Sequence, residues 1–202
     1  MINLIRFIVF IFIITLSLSL KASEASNWLK QEVDKILIAY QDPNLPNENR
    51  FLLIEQTINN NFPGKSIAIN ISKQSYKNAN EETRSNYINL FKRHLALNIA
   101  SLMQGYSNQK YELIDSRYDE KNKVNYIDME VYLDTGEMIV TWRVLKHKER
   151  YFVIDLIISG ISLYETKRSE FNSMLKNVDN DLAKLNEELN KINKSSYQKI
   201  IN

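Results

Sequence analysis

Along this chain the spacing of apolar residues runs from a helical rhythm to an alternating one and back. Residues 26–40 set Trp28, Leu29, Val33, Ile36, Leu37 and Tyr40 at near-3.6 spacing, with Ser26 or Asn27 placed to cap a helix. The run Asp42-Pro43-Asn44-Leu45-Pro46 ends it. A second helix is predicted from about Asn47 to Asn60, with Phe51, Ile54 and Ile58 on one face and a break at Asn59–Gly64. Residues 66–76 read as a short helix, although Ile67, Ile69 and Ile71 would also suit a strand. The clearest helix of this half covers 80–104. Asn80 can cap it, Glu81 and Glu82 complement its dipole, and Gly105 can terminate it. Its stripe is Ile88, Phe91, Leu95, Ile99 and Leu102, leading to Tyr106.

The period then drops to two. Tyr111–Tyr118 reads as a strand. Ile127, Met129, Val131 and Leu133 alternate with Asp128, Glu130 and Tyr132, and Met138, Val140, Trp142 and Val144 alternate with Ile139, Thr141 and Arg143. Tyr151–Ile158 is apolar on nearly both sides, Asp155 being the exception. Four consecutive strands with short polar loops predict an antiparallel meander. After Gly160 the helical rhythm returns through Leu163, Phe171, Leu175, Val178, Leu182, Leu185, Leu189 and Ile192, predicting one or two long helices. A coiled coil is one reading of that stripe. Packing back on the domain is the better one, because fewer than three heptads are present. Helices, then strands, then helices make an α+β fold.

At the N-terminus, Phe7–Leu20 is an uncharged stretch of 14 residues behind Arg6. As a helix it would reach ~21 Å, short of a ~30 Å hydrocarbon core, which suits a signal sequence better than an anchor. Cleavage is expected after Ala22, or as late as Ala25. That leaves residues 23–194 as a single domain and 195–202 as a polar tail, frayed beyond Lys191.

Composition narrows the chemistry. At 44% hydrophobic and 25% charged the chain is ordinary globular material. Lys+Arg at 26 against Asp+Glu at 24 gives no basic excess of the kind a duplex-DNA binder shows, and losing Arg6 and Lys21 with the leader would balance the charges. Cysteine is absent, which removes disulfides, thiol nucleophiles and a lipidated Cys. A cysteine-free exported domain of this size fits a bacterial envelope. Asp134-Thr135-Gly136 matches the aspartic-protease triplet, but it lies between two alternating strands, where Asp and Gly are hairpin residues. The two histidines, His94 and His147, have no Asp/Ser partner by spacing, and no metal site is expected. Asp155 stands alone in an apolar strand. It is either a carboxylate paired to a backbone amide or an Arg, or a buried general base.

One stretch resembles a known family. Tyr151-Phe152-Val153-Ile154-Asp155-Leu156-Ile157-Ile158-Ser159-Gly160-Ile161-Ser162-Leu163, followed by Lys167-Arg168-Ser169-Glu170-Phe171, resembles the MlaC family of periplasmic phospholipid-binding proteins, also called toluene-tolerance auxiliary proteins. The family pattern is an aromatic, a short strand with Asp, Gly-(Ile/Val)-Ser, then an Arg-(Ser/Asn)-(Gln/Glu)-Phe helix. Asp155, Gly160, Ser162, Arg168 and Phe171 match it in order, and Arg84 to Tyr106 looks like the family's spaced Phe/Leu/Tyr helix. The resemblance implies a twisted four-stranded antiparallel sheet wrapped by N-terminal and C-terminal helices around an apolar pocket. It also implies a monomeric, non-catalytic lipid shuttle in the periplasm of a Gram-negative bacterium, maintaining outer-membrane lipid asymmetry. Its partners would be phospholipid, an outer-membrane MlaA-type lipoprotein complex and an inner-membrane ABC transporter bearing an MCE-domain subunit. It would need no cofactor beyond its lipid cargo.

On this reading the pocket walls are Ile127, Met129, Val131 and Leu133 with Val140, Trp142 and Val144, and Phe91, Leu95 and Ile99 opposite. Arg84 and Arg143 are the candidates to meet the head group. The alternatives are a cone-shaped isomerase-like enzyme using Asp155 as base, and an interaction protein using its C-terminal helix.

Overall fold

The computed structural model describes residues 23–106 and 108–202, so the expected signal sequence lies outside the described residues. No helix among them is long and apolar enough to cross a membrane. Two compact units emerge. One joins residues 23–33 with Gln109–Ile161, and the other joins Asp34–Asn108 with Ser162–Asn202. The first helix, α1 (residues 23–41), supplies residues to both.

In the first unit β1 (Tyr111–Asp119), β2 (Val124–Leu133), β3 (Gly136–His147), β4 (Arg150–Ile158) and β5 (Ile161–Ser162) pair in chain order. β1 with β2, β2 with β3 and β3 with β4 pair antiparallel. The meander thus has the four predicted strands plus a two-residue fifth, too short to leave a period. Asp134-Thr135 is the turn between β2 and β3, with Leu133 opposite Gly136. Gly136 sits at φ +130°, where a side chain would be strained, so the triplet is a hairpin. β1 and β4 each carry an irregularity in register, at Leu113/Asp115 and opposite Arg143/Val144. The start of α1 lies on this sheet. Ala25, Leu29 and Val33, four residues apart, are buried. Trp28 stacks near Tyr151 at 5.5 Å, and Ser26 Oγ donates to Ser116 Oγ at 2.8 Å.

The second unit is helical: α2 (Asn47–Asn61), α3 (Gly64–Asn78), α4 (Glu81–Met103), α5 (Leu163–Asn177) and α6 (Leu182–Ile201). Asn80 caps α4 as expected, its Oδ1 accepting from Thr83 N at 2.8 Å. α3 is a helix because its buried residues, Gly64, Ala68, Ile71 and Ser75, follow the helical period, not the alternation of its isoleucines. α4 packs against α2, α3 and α6, so it is buried on more than one side. Tyr87, Ala96, Leu97 and Ala100 therefore join Phe91 and Leu95 in the core, while Leu102, in the last turn, is 59% exposed. Phe91, Tyr87 and Phe171 form an aromatic centre with Phe91 and Phe171 edge-on at 5.0 Å.

The C-terminal stripe is two helices. Asp179 and Asn180 take left-handed backbone, which their short polar side chains tolerate, and Asn180 N closes α5 on Leu175 O at 2.7 Å. Asp181 Oδ1 then caps α6. Ile192 is 38% exposed because Asn193, one position on, holds the buried face. The frayed tail does not occur: α6 runs to Ile201, Ile200 is buried, and Tyr197 packs on Phe51 at 5.2 Å.

His94 is buried here, its Nδ1 3.1 Å from Asn193 Oδ1, while its Nε2 has no hydrogen-bond partner. Its Nε2 stands 3.7 Å from Glu170 Oε1, and Lys167 Nζ lies 2.6 Å from Glu170 Oε2. The His94 ring, opposed by burial and helped by Lys167, brings the Glu170 carboxyl down from 4.5 to about 2. A depressed carboxylate stabilises the fold above its unfolded value and loses that contribution as the pH falls through its folded one. The stability difference between Glu170→Gln and the unaltered protein should therefore be largest near neutrality and shrink between pH 4.5 and about 2 in urea titrations. A difference that stays constant over that range would contradict the assignment.

Candidate functional site

The register decides which residues share a face of the sheet. Ile127 pairs with Trp142, Met129 with Val140, Val131 with Met138, Leu133 with Gly136, and Asn125 with Val144. Directly opposed residues point the same way, so all seven sheet residues expected as pocket walls lie on one face. The outer strands extend it. Leu113 opposes Met129 and Ser116 opposes Ile127, while Leu156 opposes Trp142, Ile158 opposes Val140 and Val153 opposes Val144. These strand β1 and β4 members were missed because each strand changes phase at its irregularity, which hides the alternation. Ile127, Met129, Val140 and Val144 are buried, Val131 and Trp142 are partly so, and Leu133 at the hairpin end is 37% exposed.

Two polar atoms on this face have no hydrogen-bond partner: Trp142 Nε1 and Asn125 Oδ1. Asn125 uses its Nδ2 on Val144 O at 3.3 Å. Helix α1 lies against the same face, since Ser116 and Tyr151, which it touches, point from it.

The opposite face carries a polar cluster. Tyr126 lies between two guanidinium groups, Arg117 at 5.2 Å and Arg143 at 5.7 Å from its ring centre. Arg117 pairs with Asp128 at 2.8 Å, and Asp128 also accepts from Thr141 Oγ1 at 2.6 Å. Burial works against the ionised Asp128, but the Thr141 hydroxyl and Arg117 outweigh it and hold the carboxyl below its usual range. Asp155 is buried, with Oδ2 3.3 Å from Arg143 Nη1 and Oδ1 accepting from Leu156 N at 2.8 Å. Both of its oxygens are therefore engaged by the paired-carboxylate arrangement.

The remaining expected residues lie in the helical unit. Phe91 is enclosed by Tyr87 and Phe171, Leu95 is buried and Ile99 is partly buried. Arg84 donates to Tyr76 O at 2.7 Å and to Lys77 O, tying off the end of α3, and lies over the Tyr76 ring. Each candidate head-group arginine thus already has protein partners, and a head-group role for either would compete with them. His147 ends β3 on the surface.

Comparison with known proteins adds two findings. The family model described as MlaC protein matches residues 30–191. A solved structure of a phospholipid-binding protein from Ralstonia solanacearum, in complex with a phospholipid, superimposes with a TM-score of 0.73 at 21% identity, covering 86% of this chain and 98% of that one. At that identity the likeness speaks for the fold. A search of the curated proteins finds no significant match.

The polar face yields a stability prediction. Asp155→Ala removes the acceptor from both Arg143 and Leu156 N and should cost about 2 kcal/mol or more, whereas Asp155→Asn keeps an acceptor and should cost less. Urea unfolding measures both, and an Asp155→Ala protein as stable as the unaltered one would show that the pair contributes nothing.

Proposed function

The chain belongs to the MlaC protein family, and from that premise we propose that it is a periplasmic phospholipid carrier and not an enzyme. In this reading it moves lipid between an outer-membrane lipoprotein complex and an inner-membrane ABC transporter with an MCE-domain subunit, and so maintains lipid asymmetry. The observation that carries it is the apolar face of the sheet. Ile127, Met129, Val140, Trp142 and Leu156 come together there without a charged residue between them. The fold shared with a phospholipid-binding protein supports the same reading.

Physical chemistry explains why such a carrier is needed. Each acyl CH₂ withdrawn from water gains ~0.8 kcal/mol, so two chains of about 15 carbons would cost roughly 20 kcal/mol to expose. Unaided passage through water is correspondingly slow. A carrier must offer comparable apolar burial, and the residues of the β2–β3 face are of the aliphatic and aromatic types that supply it. A phosphate head group is expensive to bury and stays in contact with water. Trp142 adds a polar handle. Its Nε1–H has no protein acceptor, and an ester carbonyl of the lipid supplies one.

The test is native mass spectrometry on protein expressed with its leader in a bacterial periplasm and purified without detergent. The expected result is a mass increment equal to an intact phospholipid, lost on denaturation. Protein that carries no lipid and takes none from vesicles would overturn the reading. Trp142→Phe, which keeps an aromatic ring but removes the donor, should weaken lipid retention about fivefold.

A further inference from the structure

Helices α4 and α6 run side by side in the same direction: Thr83 meets Asn186, Leu90 meets Asn193, and Gln104 meets Lys199. The first two contacts are one device repeated a heptad apart. Asn186 Nδ2 donates to Thr83 O at 3.0 Å, and Asn193 Nδ2 donates to Leu90 O at 2.9 Å. Both asparagines are buried. The rungs differ in the other half of the amide. Asn193 Oδ1 meets Nδ1 of His94, four residues beyond Leu90. Four residues beyond Thr83 is Tyr87, whose hydroxyl donates to Ala68 O instead. Asn186 Oδ1 is left with no hydrogen-bond partner, although the residue is only 5% exposed. Buried carbonyls ordinarily find a donor, and here the chain supplies one at the lower rung and none at the upper.

Asn186 lines a surface groove of about 480 Å³ between the two helices, with Glu82 and Asn86 on the α4 side and Glu187 and Asn190 on the α6 side. These four side chains are exposed, so they can swing to admit a group to the floor. No basic residue lines the groove. A ligand that satisfies the site must donate to the Asn186 carbonyl and neutralise Glu187, since Glu82 lies in the first turn of α4, where the helix dipole already complements it. An anion would be repelled. A neutral donor would leave Glu187 unanswered, and a compact ammonium offers fewer donors, without a planar fork. A guanidinium is planar, permanently charged, carries five N–H donors and has no acceptor. We infer that this groove is a guanidinium-binding site, serving either a small guanidinium compound or an arginine side chain of a protein partner. The inference is independent of lipid carriage.

Side-chain amide NMR of the purified protein tests it. Ethylguanidinium should shift the Asn186 side-chain amide and the Ala183 and Glu187 backbone amides saturably, and uncharged ethylurea should do so much more weakly. Replacing both exposed carboxylates, Glu82→Gln with Glu187→Gln, should weaken ethylguanidinium binding about fivefold while leaving the fold intact. No saturable response to ethylguanidinium, an equal response to ethylurea, or affinity unchanged in the double variant would overturn the assignment. A blocked Gly-Arg-Gly peptide binding more tightly than ethylguanidinium points to a protein source. Equal affinity points to a small molecule. Either result supports the site.

Discussion

A strand has two faces, and a one-residue slip exchanges them. That constraint governs the sheet of this protein. β2 and β3 pair without interruption from Val124 opposite Leu145 to Leu133 opposite Gly136. Ile127, Met129, Val131, Leu133, Val140, Trp142 and Val144 therefore stay on one side, and Asp128, Glu130 and Arg143 on the other. β1 and β4 would spoil this if they kept strict alternation, because neither has a sequence that alternates throughout. Each inserts one residue out of register and resumes in phase. The result is an apolar face four strands wide, backed by a face on which Arg117, Tyr126, Arg143, Asp128 and Asp155 pair with one another.

The helical unit obeys a different constraint: buried polar groups must be answered. α4 is its centre, and its backbone carbonyls at Thr83 and Leu90 each accept a second hydrogen bond from an asparagine of α6. Together with the His94–Asn193 contact, these amides give the α4–α6 seam a fixed register that leucines alone would not impose. The same rule makes the unanswered atoms informative. Asn186 Oδ1 and Trp142 Nε1 are among them, with Arg50 Nε, His94 Nε2, Asn125 Oδ1 and Arg143 Nε.

Much of this was legible in the sequence, for identifiable reasons. The α4 stripe, the Asn80 cap and the β2–β3 alternation are strong periodic signals over ten or more residues, and each appears in the structure. The family signature around Asp155, Gly160 and Phe171 was readable as a motif. What stayed hidden is what periodicity cannot encode. A β-bulge changes phase within a strand, so Tyr151–Ile158 read as apolar on both sides when Val153 and Leu156 share one face. A break made by Asp179 and Asn180 looks like helix until the backbone turns left-handed. Asn193 and Tyr197 hold buried or packed positions that a polar tail conceals. The same alternation also separates Arg143 from its neighbours: sitting between Trp142 and Val144, it must point to the opposite face and toward Asp155.

Under the proposed function, the apolar face of β2 and β3 receives acyl chains. The most direct measurement is photo-crosslinking with a phospholipid carrying a diazirine in its acyl chain, loaded from vesicles and mapped by peptide mass spectrometry. Adducts are expected on Ile127, Met129, Val140 and Trp142, and none on Tyr126, Thr141 or Arg143, which alternate with them on the other face. Adducts spread equally over both faces, or confined to the polar one, would contradict it.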